Sequence, residues 1–263
     1  MTDRNYTCVA DAMQSSKKTP VQVGDIFTTN QGCKITVLKY ESFKKVLIQF
    51  LDEYKHTSYV QLGHLKTGNI RNPYFPCNYG VGFVGAGKHK AAINKKDTLE
   101  YKVWSHMLER CYSKKYQETR PTYIGCTVCK EWHNFQNFAE WYTSQEYYGN
   151  GYHVEKDLLI DGNKVYSPKT CVLAPIEINN LLANCKLSKN NLPIGVSYHK
   201  HKKRYQASLC VDNKRIYLGS YETASEAECA YQKAKKANIK RMALKWKDKI
   251  DKKLFDALVR KSM

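Results

Sequence analysis

The stretch "VEKDLLIDGNKVYSPKTCVLAPIEIN", residues 154–179, sets the frame for the middle of the chain. Two strand-like apolar runs flank a turn at Gly162-Asn163, and Pro175 then opens a short amphipathic segment. That order predicts a strand, a turn, a second strand and a helix. Upstream, "DTLEYKVWSHMLERCY" (97–112) places Val103, Trp104, Met107, Leu108 and Cys111 on one helical face, with Asp97 and Glu100 at capping-box spacing. In "EWHNFQNFAEWY" (131–142) Trp132, Phe135, Phe138 and Trp141 recur at helical spacing, which predicts an aromatic core stripe rather than a base-stacking platform.

The 263 residues suffice for two or three small domains, and 42% hydrophobic content gives each a core. With 43 Lys and Arg against 24 Asp and Glu, the formal charge is +19. An excess of that size points to a polyanionic partner, nucleic acid first. No apolar run approaches membrane-spanning length and the start lacks the apolar core of a signal peptide, so the expectation is an intracellular protein with no membrane partner.

Working outward, 21–85 is strand-like, with "DIFTTNQGCKITVLKY", "KKVLIQFLD" and "TSYVQLGHLKTGNI" broken at Asn, Gln and Gly, and reads as a small antiparallel barrel or curled sheet. "NYGVGFVGAGKHKAAINKKD" (78–97) is Gly-rich and basic, the composition of a mobile joint near phosphates. After the polar "LSKNNLP" (187–193), Tyr205, Ala207, Leu209 and Val211 alternate with Arg204, Gln206, Ser208 and Cys210, which predicts a strand buried on one face. "DNK" turns the chain, "RIYLGSY" returns it, and Thr223 with Glu226 forms a capping box that starts a helix carrying Ala227, Ala230, Tyr231 and Ala234 on one side. The last segment spaces Trp246, Ile250, Leu254 and Leu258 near helical intervals among lysines; it is expected to dock on the third module or to grip phosphate.

Gly195-Val196, Tyr205 with Ala207, Leu218-Gly219, Tyr221, Thr223, Glu226-Ala227 and Ala230-Tyr231 make 194–237 resemble the APETALA-type DNA-binding domain, the plant ethylene-response-factor fold also found in mobile-element endonucleases. The resemblance implies a helix backing a three-stranded sheet whose open face enters the major groove. Its groove-facing positions fall on Ser197, His199, Arg204, Gln206, Ser208, Arg215 and Tyr217. Period-two alternation independently puts Arg204, Gln206 and Ser208 opposite Ala207 and Leu209. Arg can read guanine and Gln adenine with paired hydrogen bonds, while Lys200, Lys202, Lys203 and Lys214 can neutralise phosphates. A Tyr stands where the plant pattern has Trp, and arginines are fewer, so no base preference carries over.

"YKVWSHMLERCY", "IGCTVCKEWHNFQNFAEW" and "DGNKVYSPKTCVLAPIEIN" together make about 99–182 resemble a phage group of HNH-endonuclease-like proteins. The resemblance implies a first-strand His to deprotonate water, an Asn to brace the loop, and a His or Asn on the helix to bind one divalent ion. Those positions fall on Lys156, Thr170 and Asn179, and only the last has a fitting residue. Two readings stay open: a rescued site, with His153 as base and Asp157 or Asp161 plus Asn179 holding magnesium or manganese, and a catalytically silent DNA-binding remnant.

Cys126 and Cys129 form a C-x-x-C which, with Cys111 and Cys171, reads either as a structural zinc site or as core thiols. The other cysteines, Cys8, Cys33, Cys77, Cys185, Cys210 and Cys229, show no defensible pairing. The reading taken forward is an α+β protein of three modules: a barrel-like β domain (21–85), an HNH-like ββα-metal domain with flanking helices (97–186) and an APETALA-type sheet plus helix (192–245). A basic C-terminal helix (246–263) follows. Its expected function is double-stranded DNA binding in the host cytoplasm, with a degenerate or atypical cutting site. The alternatives are an active metal-dependent endonuclease and a non-enzymatic regulator or inhibitor of a host process.

Overall fold

The computed structural model describes residues 21–182 and 192–263 and is of mixed α+β class. Cys8, Cys185 and most of the 187–193 linker lie outside the described residues. Two compact units divide at Phe75 and Pro76.

In the first unit β1 (Ile26–Thr28), β2 (Lys34–Ser42), β3 (Lys45–Phe50) and β4 (Thr57–Val60) form one antiparallel meander in sequence order, followed by α1 (Leu62–Thr67). Alternation along β2 and β3 buries Ile35, Val37, Val46, Ile48 and Phe50, and Leu65 of α1 with Ile70 closes over them. The expected barrel does not close: β1 and β4 are both edge strands, and four strands with one helix cover a single apolar face without wrapping round. The side-chain amide of the buried Asn72 donates to Asp52 at 2.5 Å and its backbone N–H donates to Gln31 at 2.7 Å, tying the end of the unit to its sheet.

The second unit opens with the glycine-rich run. This is not a mobile joint but a packed strap, because its glycines let backbone lie against two helices. A Cβ on Gly82 would come within 2.3 Å of Leu108, and one on Gly85 within 2.3 Å of Asn134. The backbone N–H of His89 donates to Gln136 Oε1 at 2.9 Å. Beyond a short hairpin, β5 (Ala92–Ile93) and β6 (Lys96–Asp97), comes α2 (Leu99–Tyr112). Its N-cap is Thr98, whose Oγ1 accepts from the Tyr101 N–H, rather than Asp97, which the hairpin holds. α3 (Lys114–Thr119), β7 (Thr127–Val128) and α4 (Phe135–Thr143) follow. Trp104, Met107 and Leu108 of α2 meet Trp132, Phe135 and Phe138 in a dry aromatic core, where Trp104 Nε1 donates to the Trp132 carbonyl at 2.7 Å.

The opening stretch forms β8 (His153–Glu155), β9 (Val165–Tyr166), β10 (Val172–Ala174) and α5 (Ile176–Leu182). It is not a simple hairpin. β8 pairs antiparallel with β10, while β9 leaves to pair in parallel with β7. β11 (Val196–His199), β12 (Arg204–Val211) and β13 (Lys214–Tyr221) then make an antiparallel sheet, backed by α6 (Ala224–Trp246) with the Thr223–Glu226 capping box in place. Gly195 has φ +79, and a Cβ there would fall 2.1 Å from the Tyr231 ring, so only glycine allows α6 this close.

α7 (Lys252–Lys261) packs on α6, the helix of the third module, and on the β8–β10–α5 unit at once. Ile250, Leu254 and Leu258 join Ile239 and Ala243 of α6 against Leu158, Val172, Ala174 and Ile178 of the β8–β10–α5 unit. The apolar faces match there, whereas the outer face of the three-stranded sheet is polar. Leu258→Ala is expected to cost about 2–5 kcal/mol and to lower the thermal midpoint clearly. Leu244→Ala, at a position 60% exposed, should change stability by no more than about 0.5 kcal/mol; equal effects in thermal melts would refute the docking.

Candidate nucleic-acid interface and candidate active-site cleft

The open face of the β11–β13 sheet forms a recess of about 520 Å³ lined by Ser197, Tyr198, His199, Gln206, Ser208, Arg215 and Tyr217. Register explains the set. Ser197 stands opposite Gln206 and Ser208 opposite Tyr217, while Ala207 between them faces α6. Arg215 Nε donates to Ser208 Oγ at 2.9 Å, which fixes the guanidinium along the face. His199 Nδ1 accepts from the Lys202 N–H at 3.2 Å, so a neutral His199 carries its proton on Nε2. Among the described residues no carboxylate lines the recess.

Three of the expected residues lie outside it. Arg204, at the start of β12, pairs with Glu222 at 2.9 Å. Lys202 sits in the β11–β12 turn, and Lys214 begins β13. Tyr198 is a lining residue that alternation missed, because it belongs to the buried parity of β11. As β11 is an edge strand, its ring tilts on Tyr205 at 5.0 Å and remains 46% exposed.

A second concavity, about 740 Å³, lies where the β8–β10–α5 unit meets α2 and α6. His153, Asp157, Asp161 and Asn179 all line it. Lys156, only 7% exposed, holds its ammonium 3.2 Å from Asp157 Oδ2 and 5.7 Å from the Tyr166 ring centroid. Asp161 pairs with Lys261. Thr170 Oγ1 donates to the Val165 carbonyl at 2.7 Å, within its own turn. The brace across the loop is instead Asn163, whose amide nitrogen donates to the carbonyls of Lys156 at 2.6 Å and Val165 at 2.8 Å. The Gly-Asn turn carries that signal in the sequence.

Glu155 also lines the cleft and was missed. Period two puts it on the His153 side of β8, a pattern visible in "HVE". Burial, then the neighbouring Asp157, push its carboxyl up from 4.5 to about 7, against the opposing pull of Arg110 and Lys156.

The metal expectations can be weighed against these donors. Cys111, Cys126 and Cys171 are buried in the aromatic core, and burial pushes the Cys111 and Cys171 thiols up to about 12. No group of three or more His, Cys, Asp or Glu among the described residues converges on a metal position. In the cleft the carboxylates of Asp157 and Asp161 pair with Lys156 and Lys261. Among the described residues no helix is long and apolar enough to cross a membrane. No family model, curated protein or solved structure matches the chain.

Glu155 gives a pH prediction. Its folded value lies above its ordinary one, so the folded state holds the extra proton and stability falls as pH rises from about 4.5 to about 7. Glu155→Gln should flatten that decline and raise the denaturation midpoint at pH 8; a parallel decline in both proteins would contradict the assignment.

Proposed function

We propose that this protein binds double-stranded DNA through the open face of the β11–β13 sheet and carries beside it an HNH-like cleft with a lysine at the expected general-base position. The observation that carries the reading is the recess itself: six of the residues expected to face a groove line one concavity, without a carboxylate among them. Arg215 and Gln206 offer the two-pronged hydrogen bonds that distinguish guanine and adenine edges. His199 and Tyr217 add a donor and a broad ring. A major groove about 12 Å wide admits strands in this way, and the +19 charge supplies the non-specific attraction.

In this reading the chain has three functional modules, an N-terminal β domain, an HNH-like domain and an APETALA-type reader followed by a basic helix, and acts on DNA inside a host cell. The cleft retains the frame of a cutting site. Where the base is expected, the buried and paired Lys156 places a cation unsuited to accept a proton. A regulator or inhibitor that works by occupying DNA needs no more than this.

Binding to a mixed-sequence duplex should weaken steeply with salt, with a logarithmic slope of about −5 to −9 for roughly 6–10 phosphate contacts. Arg215→Ala and Gln206→Ala should each cost about 1–3 kcal/mol on preferred sites while sparing non-specific binding. A flat salt response, or equal selectivity loss from Lys253→Ala on α7, would defeat the reading.

A second reading, a metal-dependent endonuclease, is favoured by one observation: His153, Glu155, Asp157 and Asn179 share the cleft. Duplex incubated with magnesium or manganese distinguishes the two. The binding-only reading expects intact DNA at every salt concentration that permits binding. Nicking that is abolished by His153→Ala with affinity preserved would establish the endonuclease instead.

A further inference from the structure

From Cys229 to Lys247 the chain carries Lys233, Lys235, Lys236, Lys240, Arg241, Lys245 and Lys247 and no Asp or Glu. A helix face that meets only solvent is stabilised by mixing the two signs, because like charges one turn apart, such as Lys236 and Lys240, weaken a helix. Some of these cations are engaged. Arg241 pairs with Asp212 at 3.1 Å, Lys236 donates to the Met263 carbonyl at 2.9 Å, and Lys235 lines the cleft. Lys233, Lys240 and Lys247 differ. All three are exposed, and among the described residues none has an ion-pair partner. They recur every seven residues, and Lys247, at the helix end, keeps right-handed helical backbone. Seven residues are close to two turns, so the three stand in one line, roughly 21 Å long at 1.5 Å per residue. Ala237 and Leu244 fill the line between them, and Leu244 is 60% exposed.

The line faces away from the sheet. At 3.6 residues per turn each of the three lysines lies roughly 160–180° round the helix from Tyr231, the ring packed against Gly195 at the start of the sheet. Recess and lysine line therefore occupy opposite sides of the sheet–helix layer, separated by at least a helix diameter of about 10–12 Å. Duplex DNA is stiff over about 150 base pairs, so a short duplex held in the recess does not curl round to the lysines. An evenly charged polymer fits them, and a duplex carries one charge per roughly 1.7 Å of its axis. We propose that the outer face of α6 holds the phosphate backbone of a second duplex segment, so that one molecule bridges two stretches of DNA. This rests on the DNA-binding reading of the sheet. The α6 contact adds no base preference, because phosphates are common to all sequences.

The test immobilises one mixed-sequence duplex on beads, adds the full chain and measures capture of a second, labelled duplex at roughly 0.05–0.2 M salt. Light scattering records whether the chain is a monomer. The wild-type monomer should capture the labelled duplex, with a logarithmic salt slope of about −3 for three phosphate contacts. The triple variant Lys233→Glu, Lys240→Glu, Lys247→Glu should lose capture about fivefold or more, with the preference between sequences unchanged. Gln at the same three positions, which keeps helix propensity, should lose capture to a smaller extent and keeps the test decisive if the charge reversal disturbs folding. Absence of capture by the wild-type protein, or undiminished capture by the Gln variant, would overturn the proposal. So would capture by a dimer alone, since two sheets would then suffice. Failure of the sheet reading looks different: Arg215→Ala would leave the preference between sequences untouched while the triple variants still lost capture.

Discussion

The packing of α6 against two different partners is the constraint on which the second unit depends. Near its N-terminus Ala227 and Tyr231 press against the three-stranded sheet; near its C-terminus Ile239 and Ala243 enter the core of the β8–β10–α5 unit. Each buried aliphatic side chain contributes about 1.5–3 kcal/mol, so the helix is held at both ends. The three-stranded sheet and the β8–β10–α5 unit, which a polar linker separates in the sequence, thus become one body. α7 reinforces the junction through Leu254 and Leu258, and the Tyr152 hydroxyl donates to the Lys249 carbonyl at 2.7 Å.

Much of the local structure was legible in the sequence. The Thr223–Glu226 box, the alternation through β12 and the aromatic stripe of Trp132, Phe135 and Phe138 each involve neighbours within one or two turns, where a single physical rule decides. Long-range choices were not legible. Nothing in "VY" announces that β9 pairs in parallel with β7, and nothing in a count of glycines tells a loose joint from a strap whose glycines admit backbone beside Leu108 and Asn134. The same bare glycine serves both purposes.

The two candidate sites show the same division. On the sheet face, period two places Gln206 and Ser208 together and the resemblance implies Ser197 and Tyr217; the strand register brings all four to one face. The cleft needed the tertiary structure. Glu155 gains its character from burial beside Asp157, and Arg110 and Lys235 come from helices far apart in the chain. The family resemblance implies a base and a brace at Lys156 and Thr170. The folded chain instead buries Lys156 in an ion pair and braces the loop from Asn163.

The most direct measurement of the central claim is amide hydrogen exchange with and without a short mixed-sequence duplex. The account predicts slowed exchange across β11, β12 and β13, with smaller protection along α6. Protection confined to the strands of the N-terminal unit, with the β11–β13 amides unchanged, would contradict it.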